Sequence, residues 1–168
     1  MVSRLIIIRG NSGSGKTTIA KRLQREMGYG TMLVPQDVIR REIVRVEDGH
    51  ADTNPSTELI KRTVLYAQEI EYDVILEGIL SNKNYRPMLD TLIDAFNGHI
   101  YVYYFLLPFE ETVRRHATKR NAHEFNEDDM RAWWRDDDRL GLTHEVIFDH
   151  THDEDYIIAK ILKDIDED

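Results

Sequence analysis

The chain has 168 residues, 41% of them hydrophobic, which is enough for one domain with a sizeable core. Its 31 acidic residues outnumber 22 lysines and arginines, and the formal net charge of -9 argues against a general binder of nucleic acid or anionic membrane, since both reward a basic surface. With no cysteine there is no disulfide, thiolate catalysis or cysteine-held zinc; the apolar run near the N-terminus is far too short for a signal segment or a membrane span, so a cytoplasmic protein is expected.

In chain order, Leu5-Ile6-Ile7-Ile8 is a continuous apolar run, as for a strand buried on both faces of a parallel sheet. From Gly15 the period changes to about 3.6: Ile19, Ala20, Leu23 and Met27 share a face, and Gly28 can end that helix. Thr31 to Val34 reads as a second strand, followed by a short helical run from Val38 to Val46. Glu47 to Asn54 is a polar loop, and Asn54-Pro55 makes an N-cap and N1 pair for a helix to about Glu71. Asp73 to Glu77 is a third strand, Gly78 to Asn84 a loop, and Arg86 to Phe96 a helix. Ile100 to Leu107 is the longest apolar run and a central strand; Pro108 stops it, and Phe109 to Lys119 is helical. Asn126 with Glu127, Asp128 and Asp129 starts a helix to about Arg139, with acids set against the positive helix end. Val146 to Phe148 is a last strand and Glu154 to Ile165 a last helix. Alternating strands and helices imply βαβ units, hence an α/β domain with a parallel sheet.

Gly10-Asn11-Ser12-Gly13-Ser14-Gly15-Lys16-Thr17 fits G-x-x-x-x-G-K-[ST] without a mismatch, between a strand and a helix. Three glycines in eight residues are costly in regular structure, so something must require a bare backbone. A polyphosphate does: the loop's N–H groups point inward as an anion nest, and the helix after it adds partial positive charge. Lys16 is then placed for the β- and γ-phosphates and Thr17 for Mg²⁺. A guanine-reading Asn-Lys-x-Asp is absent; the nearest string, Asn82-Lys83-Asn84-Tyr85, lacks the aspartate. The size suits a small kinase better than a GTPase or a motor.

"LIIIRGNSGSGKTT", then Asp37-Val38-Ile39-Arg40, "VILEG" and "PFEETVRRHATKR" occur in that order. Together they resemble the P-loop kinase branch of zeta toxins, chloramphenicol phosphotransferase and the kinase half of polynucleotide kinase, small kinases of the AAA_33 type. The resemblance implies a single P-loop kinase-like domain over residues 1–168, a three-layer sandwich with five parallel strands in the order 2-3-1-4-5 and a lid region at about 114–139. It implies transfer of the γ-phosphoryl of Mg·ATP to a hydroxyl of a small molecule. In this branch the aspartate matching Asp37 takes the acceptor's proton; the alternative is that Asp37 merely caps the following helix. Arg40 matches an arginine that holds this aspartate or a substrate anion, while Gln36 departs from the acid many relatives carry there. Glu77, at a strand end before Gly78, is a candidate for holding Mg²⁺ through water or for capping a loop. Arg115 and Arg120 match by spacing the lid arginines that neutralise charge on the transferred phosphoryl or stack on adenine. For Arg114 a surface pair with Glu110 is the simpler reading.

Arg131, Arg135 and Arg139 recur every four residues, as on a charged helix face. Trp133-Trp134 reads as half core and half rim, with at least one ring in the core. His150-Thr151-His152 beside Asp149 reads as a solvated loop rather than a zinc site. The loops Glu47–Asn54 and Ser81–Tyr85 are polar and suit the walls of an acceptor pocket. A nucleoside or nucleotide kinase is the nearest alternative activity. In a different class stands an ATP-binding regulator or slow ATPase with no acceptor.

Overall fold

In the computed structural model, residues 2–47, 54–118, 123 and 125–167 are described. β1 (Leu5–Gly10) is buried at every position because it lies in the middle of the sheet. It pairs in parallel with β3 (Asp73–Gly78) on one side and β4 (Ile100–Phe105) on the other. β2 (Thr31–Pro35) and β5 (Glu145–Phe148) form the edges, giving the order β2-β3-β1-β4-β5 with every pair parallel. The expected α/β architecture and strand order are both present.

The two-residue period of a strand divides β1 between two cores. Leu5 and Ile7 face a cluster with Val74, Leu76, Ile60, Val64, Leu89 and Leu92. Ile6 and Ile8 face the opposite cluster, with Ile19, Leu23, Tyr103, Ile158 and Ile161. The first layer is supplied by α3 (Pro55–Glu69) and α4 (Asn82–Ala95), the second by α1 (Lys16–Met27) and α7 (Glu154–Asp166). Burial on both faces is why β1 shows no polar alternation.

Local capping follows the sequence. Asn54 accepts from Ser56 N at 2.9 Å at the start of α3. Asn126 and Asp129 exchange a capping box at α6 (Glu127–Trp133). The Gly28 N–H closes α1 on Gln24 O.

Several boundaries differ from expectation. The run after β2 is α2 (Gln36–Val38) continuing as a π-helix (Ile39–Val44), a wider turn that carries Arg40 and Arg41. β4 stops at Phe105, its last pairing with β5, rather than at Leu107. α4 starts at Asn82, not Arg86, so Asn82–Tyr85 is helix rather than loop, and Pro87 lies inside the helix. α5 (Phe109–Ala117) ends before the expected Lys119, which lies outside the described residues. α6 stops at Trp133, six residues before Arg139, because Trp134 is extended (φ -60°, ψ 139°) and the next backbone unit is held by Asn11. The 134–144 segment therefore runs as an irregular strap across the carboxyl end of the sheet. No helix among the described residues is long and apolar enough to cross a membrane.

Leu23, wholly buried on α1, should be a strong stability anchor. Leu23→Ala should cost about 2–5 kcal/mol, read as a lower urea midpoint with an unchanged m-value.

Candidate active site

The loop between β1 and α1 is built by close packing as well as by backbone freedom. Gly13 has φ 79°, and a Cβ there would lie 2.6 Å from Thr112 O on α5, so the loop rests directly on that helix. Gly15 has φ 98° and turns the chain into α1. Ser14 is buried and Ser12 half-buried.

Lys16 is buried and its Nζ donates to Asn11 O at 2.8 Å, with Ser14 Oγ at 3.5 Å. The ammonium is thus folded back over the loop. The Asn11 side chain is committed elsewhere: Nδ2 donates to Arg135 O at 2.7 Å and Oδ1 accepts from Arg135 N at 3.1 Å. One P-loop side chain therefore fastens the strap.

Thr17 Oγ1 donates to Glu77 Oε1 at 3.1 Å. The sheet register puts Glu77 opposite Ile8 on β1 and Pro35 on β2, so Asp37 follows two residues beyond that level. Burial pushes the Glu77 carboxyl above its ordinary value; Lys16 and the Thr17 bond oppose this, and the Asp37 charge adds to it. Lys16 and Asp37 thus both bear on Glu77 at the carboxyl edge of the sheet, where ligands of open α/β folds bind.

Asp37 sits in the first turn of α2 without serving as its N-cap. Its carboxylate is more than half exposed and pairs with Arg40 Nη2 at 3.0 Å and Arg41 Nη1 at 3.4 Å. Arg40 Nε is buried with no hydrogen-bond partner among the described residues. Gln36 is buried and donates to the Tyr85 hydroxyl at 3.1 Å. It also packs on Gly78, where a Cβ would come within 2.6 Å of Gln36 Oε1. A bare position at 78 is what leaves room for the Gln36 side chain.

Arg115 reaches the P-loop, its Nη1 donating to Ser14 O at 3.3 Å while Nε pairs with Glu111 at 2.6 Å. Glu111 also holds Arg114, so the expected Glu110–Arg114 pair is replaced by an i,i+3 pair with Glu111. The two arginines, Arg114 first, hold the Glu111 carboxyl down to about 2. Arg120 lies outside the described residues, as does most of the loop expected at Glu47–Asn54.

The remaining arginines do not share a helix face, since α6 ends too soon. Arg131 lies over the Phe109 ring at 4.1 Å, Arg139 pairs with Asp137, and Arg135 acts through its backbone. Neither tryptophan is core: Trp133 is exposed, and Trp134 is half-buried, edge-on to Phe109 with its Nε1 donating to Asp136. Asp149 receives the Thr151 N–H and hydroxyl in a turn, and no group of three His, Cys, Asp or Glu side chains among the described residues is arranged to hold a metal.

Two residues of this region escaped the sequence reading. Arg9, in the central strand, is wholly buried; it donates to Leu80 O at 2.9 Å and 3.1 Å and pairs with Asp138 at 2.8 Å and Glu145 at 3.6 Å. Burial pulls its guanidinium below the ordinary value, and the two carboxylates push back. A charge ending a strand buried on both faces was the available signal, because such a charge needs a partner. Asp138 gave no local signal at all.

A family profile described as an AAA domain matches residues 5–136. The chain belongs to the AAA_33 family. No curated protein matches it in sequence. Among solved structures, this AAA_33 chain is similar to a gluconokinase from Sinorhizobium meliloti 1021, at TM-score 0.71 and 18% identity over 99% of this chain and 93% of that one. It is also similar to the Mycobacterium tuberculosis APS kinase in complex with AMPPNP and APS, at TM-score 0.75 and 15% identity over 99% and 98% of the chains. A sugar kinase from Janibacter sp. HTCC2649 gives TM-score 0.70 at 17% identity over 98% and 95%. These likenesses show a shared fold, that of P-loop kinases.

Glu77 also makes the site sensitive to pH. Because its folded value is raised, the stability it contributes is full below the ordinary glutamate value and is lost as pH rises through the folded value. The melting temperature of the ligand-free protein should therefore fall relative to Glu77→Gln between the ordinary glutamate range and neutrality. A difference that stays constant with pH would mean that Glu77 ionises as easily in the folded chain as in the unfolded one.

Proposed function

We propose that this protein transfers the γ-phosphoryl of ATP to a hydroxyl of a small molecule. The observation that carries the reading is the placement of Glu77, bonded to Thr17 of the P-loop and acted on by the charges of both Lys16 and Asp37, where the P-loop meets the ends of β2 and β3. Phosphoryl transfer asks a protein mainly for position and charge, and these groups supply both.

The residues Gly10, Asn11, Ser12, Gly13, Ser14 and Gly15 cradle the phosphates with backbone N–H groups, and Lys16 leaves Asn11 O to neutralise the β- and γ-oxygens. The buried Glu77 carboxylate beside the Thr17 hydroxyl fits Mg²⁺: burial leaves its negative charge under-compensated, and a divalent cation would meet that need. Among the described residues no group of three His, Cys, Asp or Glu side chains is clustered there, so Glu77 and Thr17 are the side chains that would hold the ion, and the nucleotide's phosphates would have to contribute as well. Mg²⁺ supplies neutralisation of charge on the phosphoryl oxygens. Asp37 orients the acceptor hydroxyl and receives its proton as the oxygen–phosphorus bond forms and the bond to the β-phosphate oxygen breaks. Arg115, already on the P-loop, stabilises the charge that develops, and Arg120 is assigned the same task from the lid.

Arg40 and Arg41 beside Asp37 favour an acceptor that also bears an anionic group, and the unpartnered Arg40 Nε is the donor for it. This is in keeping with the gluconokinase and APS kinase that share the fold. The affinity to zeta toxins, chloramphenicol phosphotransferase and polynucleotide kinase is read from motifs alone and names a branch, not a substrate. The chain's net charge of -9 disfavours nucleic acid as the acceptor.

ADP release from Mg·ATP across sugars, sugar acids, nucleosides, nucleotides, aminoglycosides and phenicol antibiotics tests the reading. One acceptor class should raise turnover many-fold, and Asp37→Asn should cut that turnover by about 10²–10⁴-fold while nucleotide affinity stays within about twofold. Slow release that no acceptor raises, and that Asp37→Asn leaves unchanged, would point to a nucleotide-binding regulator or a slow ATPase.

A further inference from the structure

α4 begins without a cap of its own. Ser81 occupies the N-cap position in extended geometry, yet its side chain makes no capping bond. The first amide of the helix, Asn82 N–H, donates instead to Asp138 Oδ2 at 2.8 Å, a residue 56 positions away on the strap. The same oxygen accepts from Arg9 Nη2 at 2.8 Å, and the Asp138 N–H donates to the Tyr104 hydroxyl at 3.1 Å. The Asp138 side chain is 15% exposed and Arg9 is not exposed at all, so water competes little for these bonds. A carboxylate at a helix N-terminus satisfies a free N–H and meets the positive end of the helix.

Each end of this contact leads into the site. On one side the strap is pinned to the P-loop by the double bond pair between the Asn11 amide and the Arg135 backbone. On the other, the first turn of α4 carries Tyr85, whose hydroxyl accepts from Gln36, the residue before Asp37. Loss of the strap's grip on Asn82 would free the turn that holds Tyr85 and Gln36 in place.

We propose that Asp138 is a positioning residue that caps α4 from the strap and so couples the P-loop to the acceptor side of the site. A nucleotide that restrains the P-loop restrains Asn11 and the strap; the carboxylate passes that restraint to α4 and, through Tyr85 and Gln36, to the segment bearing Asp37. The coupling rests on the nucleotide reading above, whereas the capping does not.

Amide hydrogen exchange tests both parts without any acceptor, using the wild type, Asp138→Ala, and Asp138→Ala combined with Ser81→Asp, each free and with Mg·AMPPNP. In the free proteins, Asp138→Ala should speed exchange in the first turn of α4 by about two- to thirtyfold, the range for loss of a helix cap. Ser81→Asp, a cap supplied from the helix's own N-cap position, should restore it. In the wild type, AMPPNP should slow exchange in both the P-loop and the first turn of α4. In both variants it should slow only the P-loop, because an internal cap replaces the bond but not the link to the strap. Unchanged free-state exchange in Asp138→Ala would overturn the cap, and a surviving α4 response to AMPPNP in either variant would overturn the coupling. Failure of AMPPNP to protect the wild-type P-loop would sink the nucleotide reading and with it the coupling, while the free-state comparison would still decide the cap. Glu145 remains beside Arg9 in Asp138→Ala; if that variant shows no thermal transition, Asp138→Asn takes its place, with a smaller rise in free-state exchange and a correspondingly weakened α4 response to Mg·AMPPNP.

Discussion

Arg9 closes the central strand with its guanidinium wholly out of water, and the carboxyl end of the fold is organised around that charge. A buried cation is tolerated only when carbonyls and carboxylates surround it. Here they come from three separate stretches: Leu80 before α4, Asp138 on the strap and Glu145 at the start of β5. Glu145 also receives the Leu140 and Gly141 N–H groups, so it holds the strap's far end. Removing one partner of such a group costs about 3–5 kcal/mol in general, which is enough to make this arrangement a fixed feature rather than a decoration.

The P-loop stands directly above this platform. Its glycines meet two demands at once, and the packing demand is the more concrete. Gly13 leaves no room for a side chain against Thr112 O, so the loop is braced by the same helix that brings Arg115 to Ser14 O. The P-loop therefore does not stand alone as an anion nest. It is wedged between the end of β1, the helix carrying Arg115 and a strap fastened by Asn11.

The electrostatics run against the composition. A chain of net charge -9 gathers Lys16, Arg40, Arg41 and Arg115 around one edge of its sheet. Each of these cations already leans on an oxygen: Lys16 on a loop carbonyl, Arg115 on Glu111 and a carbonyl, Arg40 and Arg41 on Asp37. An anionic ligand at this edge would therefore meet cations that already have oxygen partners and would have to replace those contacts.

The sequence by itself determined the α/β class and the P-loop, because these depend on signals that are local or periodic, whereas the strand order was implied by the family resemblance that the motifs carry. An all-apolar run marks a strand covered on both sides, a 3.6 period marks the helices, and the eight-residue loop from Gly10 to Thr17 is complete within itself. Asp37 and Glu77 were also legible as candidates, since each ends or follows a strand whose position in a parallel sheet is predictable, while Arg115 was named through the family resemblance. Tertiary structure alone decided where α6 stops, where α4 starts and what Arg9 and Asp138 do. Trp134 onward leaves the helix because Asn11, over a hundred residues earlier, holds the backbone of Arg135; Asn82 begins a helix because Asp138 caps it from 56 residues away. Bonds of that range join residues that no window of sequence contains, so their partners became known only once the sheet had brought them together.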